Sequence, residues 1–160
     1  MTAIGERIPA CGLWTMTEQG PQVVQTDELT AGKRIVLFAV PGAFTPTCSD
    51  EHLPGFQVRA PEILERGVDL IVCMAVNDVF VMGAWGKARQ IADDILLLAD
   101  GNGELTRALG LELDGSRFGM GTRSKRFAAI LDDGVFTTLN VEPPGGGVDA
   151  SSAEAILGLL

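Results

Sequence analysis

Cys48 closes the stretch Pro41-Gly42-Ala43-Phe44-Thr45-Pro46-Thr47-Cys48, in a chain of 160 residues with only three cysteines. The β-branched, apolar run Ile35–Val40 leads into this corner, and a segment with helical spacing follows it. A strand, a Pro-Gly turn and a helix start would place Cys48 in the first helical turn, with Pro46 where its missing N–H costs nothing. Free backbone N–H groups and the positive end of the helix dipole would then face the sulfur. That placement suits a thiolate, the reactive form of cysteine. An ordinary thiol with a pKa of about 8.5 is only a few per cent ionised at neutral pH, and keeping it mostly anionic takes about 2.7 kcal/mol. A helix terminus supplies about 0.3–1 kcal/mol, at best about 2, and partial burial works against it. A nearby cation is required.

The chain's only histidine, His52, lies four residues further on, close enough to share a helix face with Cys48. A Cys–His hydrolase would need an oriented base and a third group, and one helical turn is poor geometry for that. A zinc site would need three or four ligands at recognisable spacings, and Cys11, Cys48, His52 and Cys73 form no C-x-x-C or C-x-x-H pair. His52 is therefore expected to be a hydrogen-bonded helix residue near the site or its entrance, and no metal is expected. The candidate cation is an arginine. In Arg123-Ser124-Lys125-Arg126-Phe127, which runs into an apolar strand, alternation puts Arg126, Ala128 and Ile130 on one face and Phe127, Ala129 and Leu131 on the other. An arginine there is either a solvated edge charge or the partner of an anion, and the spacing leaves both open.

The elements that must hold these residues are legible as a pattern. Ile35–Val40 and Val68–Val76 read as buried strands, with a helix over His52–Arg66 between them and Gly67 as its stop. Together they predict a right-handed βαβ unit. Asn77-Asp78 caps a second helix through Gln90, and Ile95–Ala99 is a third strand. Glu104–Leu109 reads as a short helix. Phe127–Leu131 and Val135–Val141 flank Asp132-Asp133-Gly134, a hairpin signal, and Ser151-Ser152-Ala153-Glu154 opens a last helix. Parallel units followed by a hairpin and a helix predict an α/β, thioredoxin-like fold. Its mixed sheet would carry helices on both faces, with further elements at the N-terminus. The length and the lack of a linker predict one domain over residues 1–160.

Bulk properties narrow the function. A net charge of −9 argues against a nucleic-acid or anionic-membrane partner. No apolar run approaches the roughly 18 residues of a membrane span. The N-terminus lacks a signal-peptide pattern. Three cysteines, an odd and sparse count, do not make a disulfide framework, and a reducing, cytoplasmic location is expected.

Pro41-Gly42-Ala43-Phe44-Thr45-Pro46-Thr47-Cys48-Ser49 resembles the peroxidatic motif of peroxiredoxins, Pro-x-x-x-Thr-x-x-Cys, in the wording of the Prx5, or type II, subfamily. The likeness continues through His52-Leu53-Pro54-Gly55-Phe56, Val76-Asn77-Asp78-Val79-Phe80-Val81-Met82, Leu98-Ala99-Asp100-Gly101 and Arg123-Ser124-Lys125-Arg126-Phe127. It ends in Leu139-Asn140-Val141-Glu142, so it spans nearly the whole chain. The resemblance implies reduction of hydrogen peroxide or organic hydroperoxides by Cys48 through a sulfenic acid. It assigns Thr45 to hydrogen-bond the sulfur and the peroxide, Pro41 to shield the site from water, and Arg126, rather than Arg123, as the active-site arginine. It also implies a homodimer packing near the Phe80–Trp85 helix, although both rings could equally face the core.

Some relatives carry a second, resolving cysteine in the C-terminal segment, but here Val148-Asp149-Ala150-Ser151-Ser152 has none. Plant-like type II members carry one where Cys73 stands, so the resemblance admits a Cys48–Cys73 disulfide. The residues themselves admit plain packing, since Leu70-Ile71-Val72-Cys73-Met74-Ala75-Val76 should be buried. If Cys73 is only core, an external thiol must reduce the sulfenate: glutathione with glutaredoxin, or thioredoxin. No other cofactor is expected, and Cys11 is expected to be structural. The alternative function is a redox sensor that passes the oxidation of Cys48 to a partner protein. A thioredoxin-type disulfide oxidoreductase is disfavoured because Ser49, Asp50 and Glu51 follow Cys48, leaving no C-x-x-C pair.

Overall fold

The continuous apolar runs form the middle of the sheet. The structure, a computed structural model, describes residues 2–160. Its first half consists of β1 (Gly12–Thr17), β2 (Gly20–Gln25), α1 (Thr26–Thr30), β3 (Arg34–Val40), a π-helical turn (Cys48–His52), α2 (Leu53–Glu65), β4 (Leu70–Ala75) and α3 (Val79–Ala88). There follow β5 (Ile95–Ala99), α4 (Glu104–Leu109), β6 (Glu112–Asp114), a 3₁₀ turn (Ser116–Phe118), β7 (Thr122–Ser124), β8 (Phe127–Asp132), β9 (Val135–Val141) and α5 (Ala153–Leu157).

Seven strands form one sheet in the order β2-β1-β5-β4-β3-β8-β9. β3, β4 and β5 run parallel, joined through α2 and α3, while β8 pairs antiparallel with β3, and β9 with β8. β6 and β7 form a separate two-stranded ribbon. This is the thioredoxin-like, mixed α/β arrangement that the pattern predicts. Residues of α2, α3 and α5 cover one face, where Phe38, Phe56, Ile63, Trp85 and Ile156 are fully buried. Leu105 and Leu109 of α4, with Ile8 and Leu13, cover the other. Each large apolar side chain removed from water in this way contributes roughly 1.5–3 kcal/mol.

The alternation along β8 sorts the two faces as expected. Ala128 and Ile130 join the cluster that contains Cys48, whereas Phe127, Ala129 and Leu131 join the opposite one. The β8–β9 turn has positive φ at both Asp133 (48°) and Gly134 (77°), the backbone an Asp-Gly hairpin turn requires.

Two departures from the sequence reading bear on the site. The chain does not enter α2 as one regular helix from His52. It first makes a π turn in which the Leu53 N–H reaches the Cys48 carbonyl, five residues back. The second is the β1–β2 hairpin, which was foreseen only as extra elements. Met16 of β1 lies against α3 at Gly83, where a Cβ would stand 2.9 Å from the Met16 Cβ. Glycine therefore sets how closely α3 approaches the sheet.

Candidate active site

The corner between β3 and the π turn is built by its own short contacts. The Ala43 N–H donates to the Asn77 side-chain oxygen at 2.9 Å, the Thr45 hydroxyl donates to the Gly42 carbonyl at 2.7 Å, and the Ser49 N–H donates to the Thr45 carbonyl at 2.9 Å. Phe44 sits at φ 64°, a left-handed conformation unusual for an aromatic residue, and it is 54% exposed. These constraints set Cys48 at the head of the turn, fully buried. From inside the protein, the Trp85 indole N–H donates to the Ser49 hydroxyl at 2.9 Å and holds the turn against α3.

Arg126 meets the sulfur. It stands just before β8, is 9% exposed, and its Nη2 donates to Cys48 Sγ at 3.1 Å. A guanidinium carries donors only, so the sulfur is the acceptor, and a thiolate accepts such a bond better than a thiol. The edge-charge reading of this arginine is thereby set aside. Arg123 is used elsewhere: its Nε and Nη1 donate to the Met120 and Val76 carbonyls at 2.8 and 3.0 Å, pinning the loop before β7 to the end of β4.

The other nitrogen of the Arg126 fork, Nη1, lies 2.9 Å from His52 Nδ1. Because arginine cannot accept, Nδ1 must carry the lone pair, and the ring proton is on Nε2, which donates to the Ser151 carbonyl at 2.9 Å. The imidazole is 1% exposed and flanked by Phe38 and Phe56. Burial, assisted by the Arg126 charge and only partly opposed by the Ser151 bond and Glu142, lowers its pKa from 6.5 to about 4. His52 is neutral at physiological pH. Both ring nitrogens are engaged and neither bonds Cys48, as expected of a hydrogen-bonded residue beside the site.

Behind His52 lies a carboxylate that sequence reasoning did not single out. Glu142 accepts from the Asp149 and Ser151 N–H groups at 2.7 and 2.9 Å, from the Ala150 N–H at 3.3 Å and from the Ser151 hydroxyl at 2.6 Å. Burial pushes its carboxyl up, but these donors outweigh it and hold the pKa below 4.5. The Asn-Val-Glu stretch at the end of β9 carried the signal, since a glutamate on a strand that turns inward needs donors.

Arg126 also lines a cleft of about 390 Å³, together with Pro41, Thr45, Thr47 and Phe118. The four residues assigned from sequence thus converge, Pro41, Thr45 and Arg126 around the cleft and Cys48 bonded to Arg126. One detail is corrected. The Thr45 hydroxyl gives its proton to Gly42 and not to the sulfur, so toward the cleft its oxygen offers lone pairs. Cys73 is paired in register with Phe38, fully buried, and its thiol is free. Burial first, and then the Cys48 charge, push its pKa well up, with Arg126 opposing. Cys11 is also free and buried, and burial followed by Glu104 and Asp100 raises its pKa.

With this geometry in hand, similarity to known proteins is informative. The redoxin family matches residues 3–157 of the chain. The chain is 51% identical to peroxiredoxin-2E-2, chloroplastic, of Oryza sativa subsp. japonica, over 99% of its own length and 72% of that protein. It is 48% identical to peroxiredoxin-2B of Arabidopsis thaliana, over 99% and 98% of the two chains. Its fold superposes on reduced Prx3 from Vibrio vulnificus in complex with H2O2 with a TM-score of 0.95, at 52% identity and 99% coverage of both chains. The chain belongs to the redoxin family and, within it, to the type II, Prx5-like peroxiredoxins. It is a thiol-dependent peroxidase, an oxidoreductase whose substrate is a peroxide and whose electrons come from a thiol.

Proposed function

We propose that the Cys48 thiolate attacks one peroxide oxygen in line with the O–O bond. An S–O bond forms as O–O breaks, and the distal oxygen leaves as hydroxide or alkoxide and takes a proton. Sulfur is oxidised to sulfenic acid, the first and reversible rung of cysteine oxidation, and the peroxide is reduced to water or an alcohol. Negative charge moves from sulfur onto oxygen in the transition state, so donors fixed along that line lower the barrier. The observation that carries this reading is the 3.1 Å bond from Arg126 to Cys48, made by a side chain that also lines the cleft. The planar fork of arginine can follow the charge from sulfur to oxygen. The Thr45 oxygen, its own proton spent on Gly42, accepts the proton-bearing end of the peroxide, and Pro41 excludes water.

We further propose that an external thiol, glutathione with glutaredoxin or thioredoxin, reduces the sulfenate. Complete burial and a raised pKa leave Cys73 in the poorly nucleophilic thiol form. Intact mass after one equivalent of peroxide, with a sulfenate-trapping reagent, tests both steps. A single adduct confined to Cys48 is expected. Loss of two hydrogens with a Cys48–Cys73 peptide would instead make Cys73 the resolving residue, and reaction at Cys11 as fast as at Cys48 would defeat the peroxidatic assignment.

The homodimer implied by subfamily resemblance is proposed to use the exposed side of α3. Trp85 is core, but Phe80 is 66% exposed and lines a concavity of about 370 Å³ with the 42% exposed Trp14. Exposed aromatic area of this kind is characteristic of interfaces. Sedimentation should show a dimer for the native chain and a monomer for Phe80→Glu, and an unchanged dimer would place the interface elsewhere.

A further inference from the structure

We infer that the cleft beside Cys48 receives the reductant as a short zwitterionic peptide thiol, whose carboxylate pairs with Lys125 and whose ammonium pairs with Asp114. The inference rests on the reading above that an external thiol reduces the Cys48 sulfenate.

The cleft is larger than hydrogen peroxide needs. Two oxygens take roughly the room of two waters, about 60 Å³, whereas the cleft holds about 390 Å³, the size of sites that take organic ligands. Most of the charged groups on its wall are already engaged. Arg126 is bonded to Cys48 and His52, Arg123 to the Met120 and Val76 carbonyls, and Glu142 to the Asp149–Ser151 segment. Lys125 differs. Among the described residues its ammonium has no acceptor, and only its main chain is bonded, the N–H to the Leu111 carbonyl and the carbonyl to the Ser124 hydroxyl. A half-buried ammonium has lost part of its water and gained no partner in return, and an anion in the cleft supplies one.

The surroundings favour that anion. Four of the chain's twelve lysines and arginines, Arg117, Arg123, Lys125 and Arg126, fall within ten residues that hold no carboxylate, in a chain of net charge −9. A positive rim on an acidic molecule concentrates small anions at this mouth. Asp114 provides the opposite pole. It also lines the cleft, spends Oδ1 on the Ser116 N–H at 2.9 Å and makes no ion pair with Lys125. In the β6–β7 ribbon Asp114 pairs with Thr122 and Glu112 with Ser124, so Lys125 lies three steps along from Asp114, roughly 10 Å. A tripeptide spans about the same length, roughly 10 Å. An alkyl hydroperoxide offers nothing to either pole, whereas a peptide thiol offers something to both.

The chemistry is a two-step exchange. The ligand thiolate attacks the sulfenic sulfur, an S–S bond forms as S–O breaks, and hydroxide leaves and takes a proton to become water. A second thiolate then attacks the ligand sulfur, forming the ligand disulfide and releasing the Cys48 thiolate.

The test times reduction of the Cys48 sulfenate, made with one equivalent of hydrogen peroxide, by quenching and intact mass. Glutathione carries both charges, N-acetylglutathione lacks the ammonium, and 2-mercaptoethanol lacks both. In Lys125→Gln the two peptide thiols should slow about three- to fivefold and 2-mercaptoethanol less than about twofold, the upper range for an ion pair open to water. Asp114→Asn should slow glutathione by about twofold and leave N-acetylglutathione unchanged. Both selectivities should fade as salt is raised. The ribbon stands outside the seven-stranded sheet, so both variants should fold.

Equal slowing of all three thiols in Lys125→Gln, or a native glutathione rate there, would overturn the inference. Equal slowing of both peptide thiols in Asp114→Asn would remove the ammonium pole. Sulfenate formation is timed in parallel with tert-butyl hydroperoxide and a carboxylate-bearing alkyl hydroperoxide. A loss confined to the latter would assign the anion to the oxidant and also overturn the inference. If the native sulfenate closes onto Cys73 before any thiol reacts, the Cys48–Cys73 peptide reveals it, and the external-thiol reading itself fails.

Discussion

Replacing Arg126 with methionine should lower the second-order rate constant for peroxide by about 10²–10³-fold, the usual cost of removing one preorganised donor from a developing anion. That corresponds to about 2.7–4 kcal/mol of transition-state stabilisation. The expectation follows from the position of Nη2, 3.1 Å from the sulfur, and from the absence of any competing carboxylate among the described residues. Methionine fills a similar volume without a charge, and Cys48 can take up a proton and avoid standing as an unpaired buried anion, so the fold should survive at some cost in stability. Arg126→Lys should not restore the rate. A single ammonium cannot bond the sulfur and His52 Nδ1 with the geometry of the fork. Stopped-flow peroxide consumption checks both variants, and a lysine variant at native speed would reduce the arginine to a bare charge.

A second large effect is expected on stability in acid. His52 has a folded pKa of about 4 against an ordinary 6.5, so the unfolded chain binds this proton and the folded chain resists it. Stability therefore rises with pH between the two values, and is lost as pH falls through that window. The whole shift is worth about 3 kcal/mol, of which about 2 kcal/mol should already be gone at about pH 4.5. Glu142 adds to the loss further down, because its donors hold the carboxyl below the usual carboxylate range and protonation weakens their bonds. Urea denaturation at about pH 7 and at about pH 4.5 should show the drop, and His52→Asn should remove most of it between those values. A native protein equally stable at both would mean that His52 titrates normally. Protonation would also put an N–H on Nδ1, facing the donor from Arg126.

The candidate nucleophile and its strand were legible because their signals are local. Thr45, Pro46 and Cys48 follow a β-branched run directly, and the odd-even sorting of Arg126 to Ile130 needs only the geometry of a strand. What the sequence could not reveal were partners brought together by topology. His52 meets Arg126 across 74 residues and Ser151 across 99, and nothing in either neighbourhood announces the other. The π turn escaped because Cys48 and His52 have spacing that an α-helix would also accept, and only the Leu53 to Cys48 bond distinguishes the two. The β1–β2 hairpin escaped for a different reason. Most of its residues are exposed or half-buried, so no clean alternation marks it. The proton of Thr45 was misassigned to sulfur because the Gly42 carbonyl, three residues back, is a competitor that a motif does not display.

The bond from Trp85 to Ser49 has a practical consequence. The chain has two tryptophans, of which Trp14 is 42% exposed and Trp85 fully enclosed, with its indole proton tied to the residue after Cys48. Any unwinding of the turn that carries Ser49 away strips that partner from the indole and changes the polarity around it. The protein therefore carries its own optical gauge of the turn. Emission from Trp85 would follow any such unwinding in real time, without a dye and without touching a cysteine.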